Sequence, residues 1–391
     1  MTVFEIKGWC PGALRPMMSG DGLVVRVRPH GGCLSAAQAR GIALAAREHG
    51  SGLIDLSSRA NLQLRGVSRH SHAPLLAALD ALGLVDADPQ AEARRNVVVT
   101  PFANESGEDF ISVAALAASL ESALASSGLA LSGKFGFAID CGRTRVLSAV
   151  SADIRLERGL GDRLIVRPDG AEMGVPVEPA EVAGVALAIA RWFVETGGAS
   201  DGRGRMAAHI REGAVLPTAR TELVSPVAAT RRPEPGLTMG GALVGIAFGA
   251  MHADTLDSLA QQASELRITP WRMIFLPGVD GIPSVPELIS QGDDPLLRIE
   301  ACPGAPWCPQ ARAETRALAR SLAAHVPAGS TLHVSGCAKG CACPRSATST
   351  LVATATGYDL VRNGTASDPP EKMGLSASEL AAHPARYLGV A

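Results

Sequence analysis

Apolar and polar positions alternate along this chain with periods that change abruptly, and each change marks an element. "GLVVRVRP" (22–29) alternates with a period of two and predicts a strand. "LSAAQARGIALAAREHG" (34–50) then places apolar residues three and four apart and predicts a helix. Ser35 and Gln38 stand at capping-box spacing at its start. Two strand-like runs follow, the second ending in "NLQLRGV". Farther on, "ALVGIAFG", "ADTLDSLAQQASEL" and "WRMIFLPGV" repeat that order in shorter form. A second block, "RRNVVVTPF", a helix near "VAALAASLESALA", "KFGFAIDCG" and "GDRLIVRPDG", parallels "LLRIEACPG", "AETRALARSLAAH", "LHVSGCAKGC" and "YDLVRNG". Strand, helix, strand, strand repeated in one order predicts a duplicated α+β (mixed α/β) chain with pseudo-twofold architecture. "SPVAATRRPEPG" (225–236), rich in Pro and without a hydrophobic period, reads as the linker between the copies.

One run carries unusual chemistry. Read as a strand, "SSRANLQLRGV" (57–67) puts Arg59, Asn61, Gln63 and Arg65 on one face and Ala60, Leu62 and Leu64 on the other. Two readings stay open: the solvated face of a half-buried strand, or a surface that grips carboxylates. The second copy has Trp271 where the first has Arg59, and Met273 and Phe275 where the first has Asn61 and Gln63. Only one copy carries the polar face.

Composition narrows the function classes. At 391 residues the chain is long enough for two to four domains, and its net charge of −2 supplies no global field for nucleic acid or an anionic membrane. Any anion recognition must be local. Basic residues are almost all Arg; the lysines are Lys7, Lys134, Lys339 and Lys372. The start "MTVFEIKGWCPGAL" lacks a signal-like pattern, and the longest apolar stretches are too short, or too interrupted by Arg191, to span a bilayer. The expectation is a cytoplasmic protein whose eight Cys are thiols or metal ligands, not a disulfide framework.

The strongest chemical signal is "ACPGAPWCPQA" followed by "HVSGCAKGCACP". Cys302 and Cys308 are separated by five residues, Cys337 and Cys341 by three. Four thiolates in two loop-borne pairs suit a zinc site or an iron–sulfur cluster, and the five-residue gap argues against zinc. Gly304, Gly336 and Gly340 let backbone amides approach sulfur, and a helix opening after Pro309 would turn its positive end the same way. Cys343 is an alternative fourth ligand; spacing favours Cys341. Cys10, Cys33 and Cys141 are isolated and read as small buried hydrophobes.

With these residues in view, the chain resembles the siroheme sulfite and nitrite reductases. Cys302, Cys308, Cys337 and Cys341 look like that family's [4Fe-4S] ligands, with Cys341 nearest the tetrapyrrole, and "SSRANLQLRG" looks like its arginine-bearing strand. The resemblance implies a first ferredoxin-like half-domain at 15–75 and a first α/β domain at 88–215. After the linker at 225–236 it implies a second half-domain at 237–292 and a cluster-bearing α/β domain at 296–391. The family's basic anion-site residues fall at Arg59, Arg95 and Lys134; its second lysine falls at Gly136, so one cation is missing.

"WCPGALRPMMSGDGLVVRVRPHGG", joined to "DLSSRANLQLRGV", resembles in particular an oxygen-dependent branch of that family in aerobic cobalamin synthesis. That branch implies hydroxylation of precorrin-3A at a ring-bridging carbon and closure of a γ-lactone. A precorrin rim bears acetates and propionates, which Arg59 and Arg65, with Asn61 and Gln63 beside them, would bind. A second, non-haem iron enters as a further possible cofactor; His30, His70, His72 and His252 are its candidate ligands, against solvated or hydrogen-bonded imidazoles. There is no G-x-G-x-x-G between a strand and a helix, so electrons are expected from a separate reductase or ferredoxin. The alternatives are a siroheme-dependent sulfite or nitrite reductase and a non-catalytic tetrapyrrole-binding electron carrier.

Overall fold

The computed structural model describes residues 10–102, 112–200, 204–216, 222–238 and 240–388; the opening stretch 1–9 lies outside them. The first half begins with β1 (Met17–Ser19), β2 (Gly22–Val27), β3 (Cys33–Ser35), α1 (Ala36–His49), β4 (Leu53–Leu56), β5 (Leu62–Val67) and α2 (His72–Ala81). It continues with α3 (Pro89–Arg94), β6 (Val97–Val99), α4 (Val113–Ser126), β7 (Phe137–Asp140), β8 (Ile154–Arg158), β9 (Leu164–Pro168), β10 (Val175–Pro176), α5 (Val182–Glu195) and α6 (Met206–Arg211). The second half runs β11 (Gly236–Thr238), β12 (Gly241–Ile246), β13 (Ala250–His252), α7 (Ala253–Gln262), β14 (Glu265–Ile268), β15 (Met273–Pro277) and β16 (Leu288–Ile289). Then come β17 (Ile299–Ala301), α8 (Arg316–Leu322), β18 (Leu332–Ser335), β19 (Ala347–Thr354), β20 (Gly357–Gly364), β21 (Lys372–Leu375), α9 (Ala377–Ala382) and α10 (Pro384–Leu388). Helix α1 starts where its sequence says it should: the Ser35 hydroxyl accepts from the Gln38 amide while the Gln38 side chain accepts from the Ser35 amide. No helix among these residues is long and apolar enough to cross a membrane.

The two copies are not side by side. One sheet is ordered β1-β2-β5-β4-β13 and its counterpart β11-β12-β15-β14-β3. Each therefore ends in a strand from the other half: Leu34 of β3 pairs with Leu266, and Met251 of β13 pairs with Ile54. The exchange is reciprocal, as a twofold relation requires. Ile42, Ile54 and Leu64 of the first half share one core with Leu256, Leu266 and Ile274 of the second. Stretches 15–75 and 237–292 thus form one packed body.

The remaining sheets repeat one plan. Strands β6, β7 and β8 are parallel and β9 and β10 antiparallel; β17 to β21 follow the same order and senses. Each has its own core, with Phe137, Leu156 and Phe193 in one and Val334, Leu351 and Tyr387 in the other. Both contain more strands than the sequence pattern marked.

Three expectations need correction. The stretch 57–67 is not one strand: Ser57 to Asn61 form the turn into β5, with Ala60 at φ 54°, so Arg59 lies outside the alternation. The 225–236 segment is a strap, not a free linker. Pro226 bridges to Gly159 and Ala229 to Arg145, and the Val227 amide donates to the Arg158 carbonyl at 2.9 Å, because backbone polar groups passing a domain edge gain by pairing with it. No helix opens after Pro309; α8 begins at Arg316, with the Thr315 hydroxyl donating instead to the Cys302 carbonyl.

Asp55, buried on β4, ties the halves together by accepting from Arg316 at 2.7 Å and lying 3.7 Å from Arg65. Asp55→Ala should cost about 1.5–3 kcal/mol, the usual contribution of a hydrogen bond to a charged group. Urea denaturation checks this, and an unchanged midpoint would show that the link contributes nothing.

Candidate metal centre and anion pocket

Strands β17 and β18 are parallel neighbours, so the loops leaving their C-terminal ends emerge together. The first loop carries Cys302 and Cys308, the second Cys337 and Cys341. The Arg312 amide donates to the Gly336 carbonyl at 2.9 Å, joining the loops, and the Gly336 amide donates to Cys302 Sγ at 3.1 Å. A side chain at Gly336 would collide with Ala311, its Cβ 2.7 Å away, so only glycine lets this amide reach sulfur. Burial pushes the Cys341 thiol up; Lys339 opposes the rise, and Cys337, Cys302 and Cys308 add to it. Burial raises Cys337 too, against a hydrogen bond from the Lys339 amide, with Cys308 and Cys302 adding to the rise. The four thiols therefore feel one another, while the buried Cys343 Sγ turns to the Arg345 carbonyl at 3.3 Å.

Among the described residues, no three His, Cys, Asp or Glu side chains gather as they would around one ion. A cubane gives each thiolate its own iron and spreads its ligands wider than zinc does. An all-sulfur donor set with backbone amides directed at sulfur fits such a cluster. The first half holds this loop in place. The Trp307 carbonyl, between Cys302 and Cys308, accepts from Ser19 Oγ at 2.7 Å, Arg65 at 2.9 Å and the Gly20 amide at 3.2 Å.

That contact changes the reading of Arg65. Its guanidinium is closed on Asp21 at 2.7 and 3.0 Å and is 7% exposed, so it fastens the cysteine loop. Arg95 is likewise closed, gripping Asp86 at 2.7 and 2.8 Å. Burial lowers its pKa, but the hydrogen bonds and charge of Asp86 outweigh that and hold it above the usual value.

Arg59 has different company. It donates to the Lys134 carbonyl at 2.9 Å and its other terminal nitrogen is buried without a partner; burial first lowers its pKa, Arg205 and Arg28 add to that, and Cys10 and Asp153 oppose it. Arg26, on β2, donates to Gln63 at 2.6 Å; burial first, then Arg28, brings its pKa down to about 10. Arg28 is 5% exposed with Nε unpartnered, and burial lowers its pKa as well. Cys10 sits among these guanidiniums, not in an apolar core. Arg205 reaches in from the start of α6, pairing with Asp153 at 2.9 Å and donating to Ser151 Oγ at 2.9 Å. No carboxylate ion pair closes Arg26, Arg28 or Arg59 among the described residues. Like charges packed this way are costly unless an anion joins them.

Arg26 and Arg28 were legible in "VVRVRP", where alternation puts both on one face; Arg205, far away in sequence, was not. A Cβ at Gly136 would lie 2.8 Å from Asn96 Nδ2, so a side chain there would have to displace the Asn96 amide.

A cavity of about 420 Å³ lies between the halves, lined by Ser58 and Ser151 of the first and by Cys341, Phe248, Trp271 and Arg272 of the second. Ser58 is the chain neighbour of Arg59 and Ser151 accepts from Arg205, while the arginines that line the cavity itself are Arg232, Arg272 and Arg345. Trp271 stands in the second copy's version of the Arg59 turn. A larger cavity of about 670 Å³ holds Arg95, but its charges are paired: His30 with Glu121 at 2.7 Å, Arg95 with Asp86, Arg267 with Glu265. The candidate iron ligands do not converge: His30 is on Glu121, His72 Nε2 is 2.9 Å from the Ala13 carbonyl, and His252 precedes α7.

Residues 15–82 match the family described as "Nitrite/Sulfite reductase ferredoxin-like half domain". The solved structure titled "Structure of Mycobacterium tuberculosis NirA protein" is similar at a TM-score of 0.64 and 17% identity, over 93% of this chain and 80% of that one. This is a likeness of fold. A curated relative from Sinorhizobium sp, named precorrin-3B synthase, is 32% identical over 400 residues, covering 93% of this chain and 84% of that protein. With identity at that level along nearly its whole length, and on the duplicated fold and paired cysteine loops described above, the chain belongs to the precorrin-3B synthase family.

Proposed function

We propose that this protein is an oxidoreductase, specifically a monooxygenase that hydroxylates precorrin-3A with dioxygen and closes a γ-lactone in aerobic cobalamin synthesis. The observation that carries this reading is a cluster of buried arginines that no carboxylate ion pair closes among the described residues, Arg26, Arg28 and Arg59, together with a cavity between the halves that Ser58, next to Arg59, lines with Arg272, Trp271 and Cys341. A precorrin is a flat apolar macrocycle edged with carboxylates, and both features have counterparts in the pocket.

Guanidiniums bind carboxylates through paired, charge-assisted hydrogen bonds, so Arg59 and its neighbours would fix the rotational setting of the macrocycle. Trp271 and Phe248 offer aromatic faces that pack on it and displace water. Cys302, Cys308, Cys337 and Cys341 would hold a [4Fe-4S] cluster, which when bound supplies one-electron transfer at the pocket's edge. The electrons would come from an external ferredoxin or reductase. Gly136 weighs against sulfite or nitrite reduction, because it supplies no cation where the resemblance to the reductases calls for a second lysine.

The test is to incubate anaerobically purified protein with precorrin-3A, reductant and dioxygen, and to follow the gain of one oxygen atom by mass. A protein that instead carries siroheme and reduces sulfite or nitrite would overturn the proposal. Cys341→Ala is expected to lose bound iron and sulfide while Cys343→Ala keeps both, measured by metal and sulfide analysis; the reverse pattern would make Cys343 the ligand.

Removing Arg59 should weaken substrate binding by about tenfold or more, since a hydrogen bond to a charged group contributes about 1.5–3 kcal/mol and 1.4 kcal/mol is one decade. Titration of precorrin-3A into Arg59→Ala, with cluster content matched to the wild type, reads this directly. Arg65→Ala should chiefly lower stability and cluster retention, because its partners are Asp21 and the cysteine loop.

A further inference from the structure

The turns that precede β5 and β15 are counterparts, and each holds a non-glycine residue in the left-handed region: Ala60 at φ 54° and Arg272 at φ 62°. Left-handed backbone disfavours any side chain, and the first copy tolerates it with a methyl group. The second copy puts a full arginine there. Room for its stem comes from Gly249, where a Cβ would meet Arg272 Cγ at 3.0 Å. The guanidinium is held by Glu300, just before Cys302, and donates to the Ala342 carbonyl, beside Cys341, at 3.3 Å. Arg272 also lines the cavity that Cys341 and Trp271 share.

We infer that Arg272 is a positioning residue that sets the reduction potential of the group the four cysteines hold, at the wall it shares with the substrate. This rests on the [4Fe-4S] reading given above. Accepting an electron adds one negative charge to the cluster, and a fixed cation nearby stabilises the reduced state. Lys339 is exposed to solvent, whereas the Arg272 side chain is 22% exposed and therefore less screened. Its field reaches beneath the loop. His333, fully buried on β18 with neither ring nitrogen partnered, has its pKa pushed down to about 4 by burial first and by Arg272 second. Glu300 partly neutralises Arg272, so the two side chains act in opposite directions. The cation appears only in the copy that carries the cysteines.

The experiment is an anaerobic potentiometric titration of the substrate-free protein, followed by the paramagnetic signal of the reduced cluster, with iron and sulfide measured for each variant. Arg272→Gln should lower the reduced-to-oxidised ratio at a fixed potential by about tenfold, a shift of about 59 mV for one electron, and Arg272→Lys should restore most of it. Glu300→Gln should move the midpoint the other way. Equal midpoints for wild type and Arg272→Gln at equal iron content overturn the inference. If Arg272→Gln loses its cluster, Glu300→Gln decides: a midpoint at or below wild type overturns the inference. A wild-type protein with no cluster removes the underlying reading as well, which separates the two failures.

Discussion

Everything in this molecule depends on the reciprocal exchange of β3 and β13. Each half completes the other's sheet with one edge strand, and an unpaired sheet edge exposes a row of backbone donors and acceptors. Neither half can leave without opening such an edge and dividing the core that holds Ile54 beside Met251. The exchange fixes the halves face to face, and a cavity between them follows. It also brings the β1–β2 turn and Arg65 of one half onto the Trp307 carbonyl of the other, so the cysteine loop is shaped by both.

Duplication supplied two copies of one plan, and divergence gave them different chemistry. The turn with a left-handed residue survives in both, yet it presents Arg59 in one copy and Trp271 followed by Arg272 in the other. One copy offers cations. The other offers an aromatic face and the cysteines.

The arginines fall into two populations that sequence does not distinguish. Arg65 and Arg95 are buried and closed on aspartates, so their positive charge is cancelled and they serve the fold. Arg26, Arg28 and Arg59 are crowded together, burial first lowers the pKa of each, and no carboxylate ion pair closes them among the described residues. The difference lies in the partners, and Asp21 and Asp86 reach their positions only through folding.

The amino-acid sequence by itself determined helices α1, α4, α7 and α8 and strands such as β2, β5, β12 and β15, because the period of burial is written in the order of apolar residues. It also determined the duplication, since four matched blocks recur in order, and the grouping of Cys302 with Cys308 and Cys337 with Cys341 in two loops, since spacing within a loop is local. Tertiary structure alone decided that the Pro-rich strap binds the first α/β domain, that β3 and β13 change places, and that Arg59 stands in a turn. It alone decided which arginines are neutralised. Alternation reports which face a residue takes within one strand, but a salt bridge joins residues far apart in sequence, such as Arg316 and Asp55. Charge compensation is a property of positions in space, and only the packed chain assigns them.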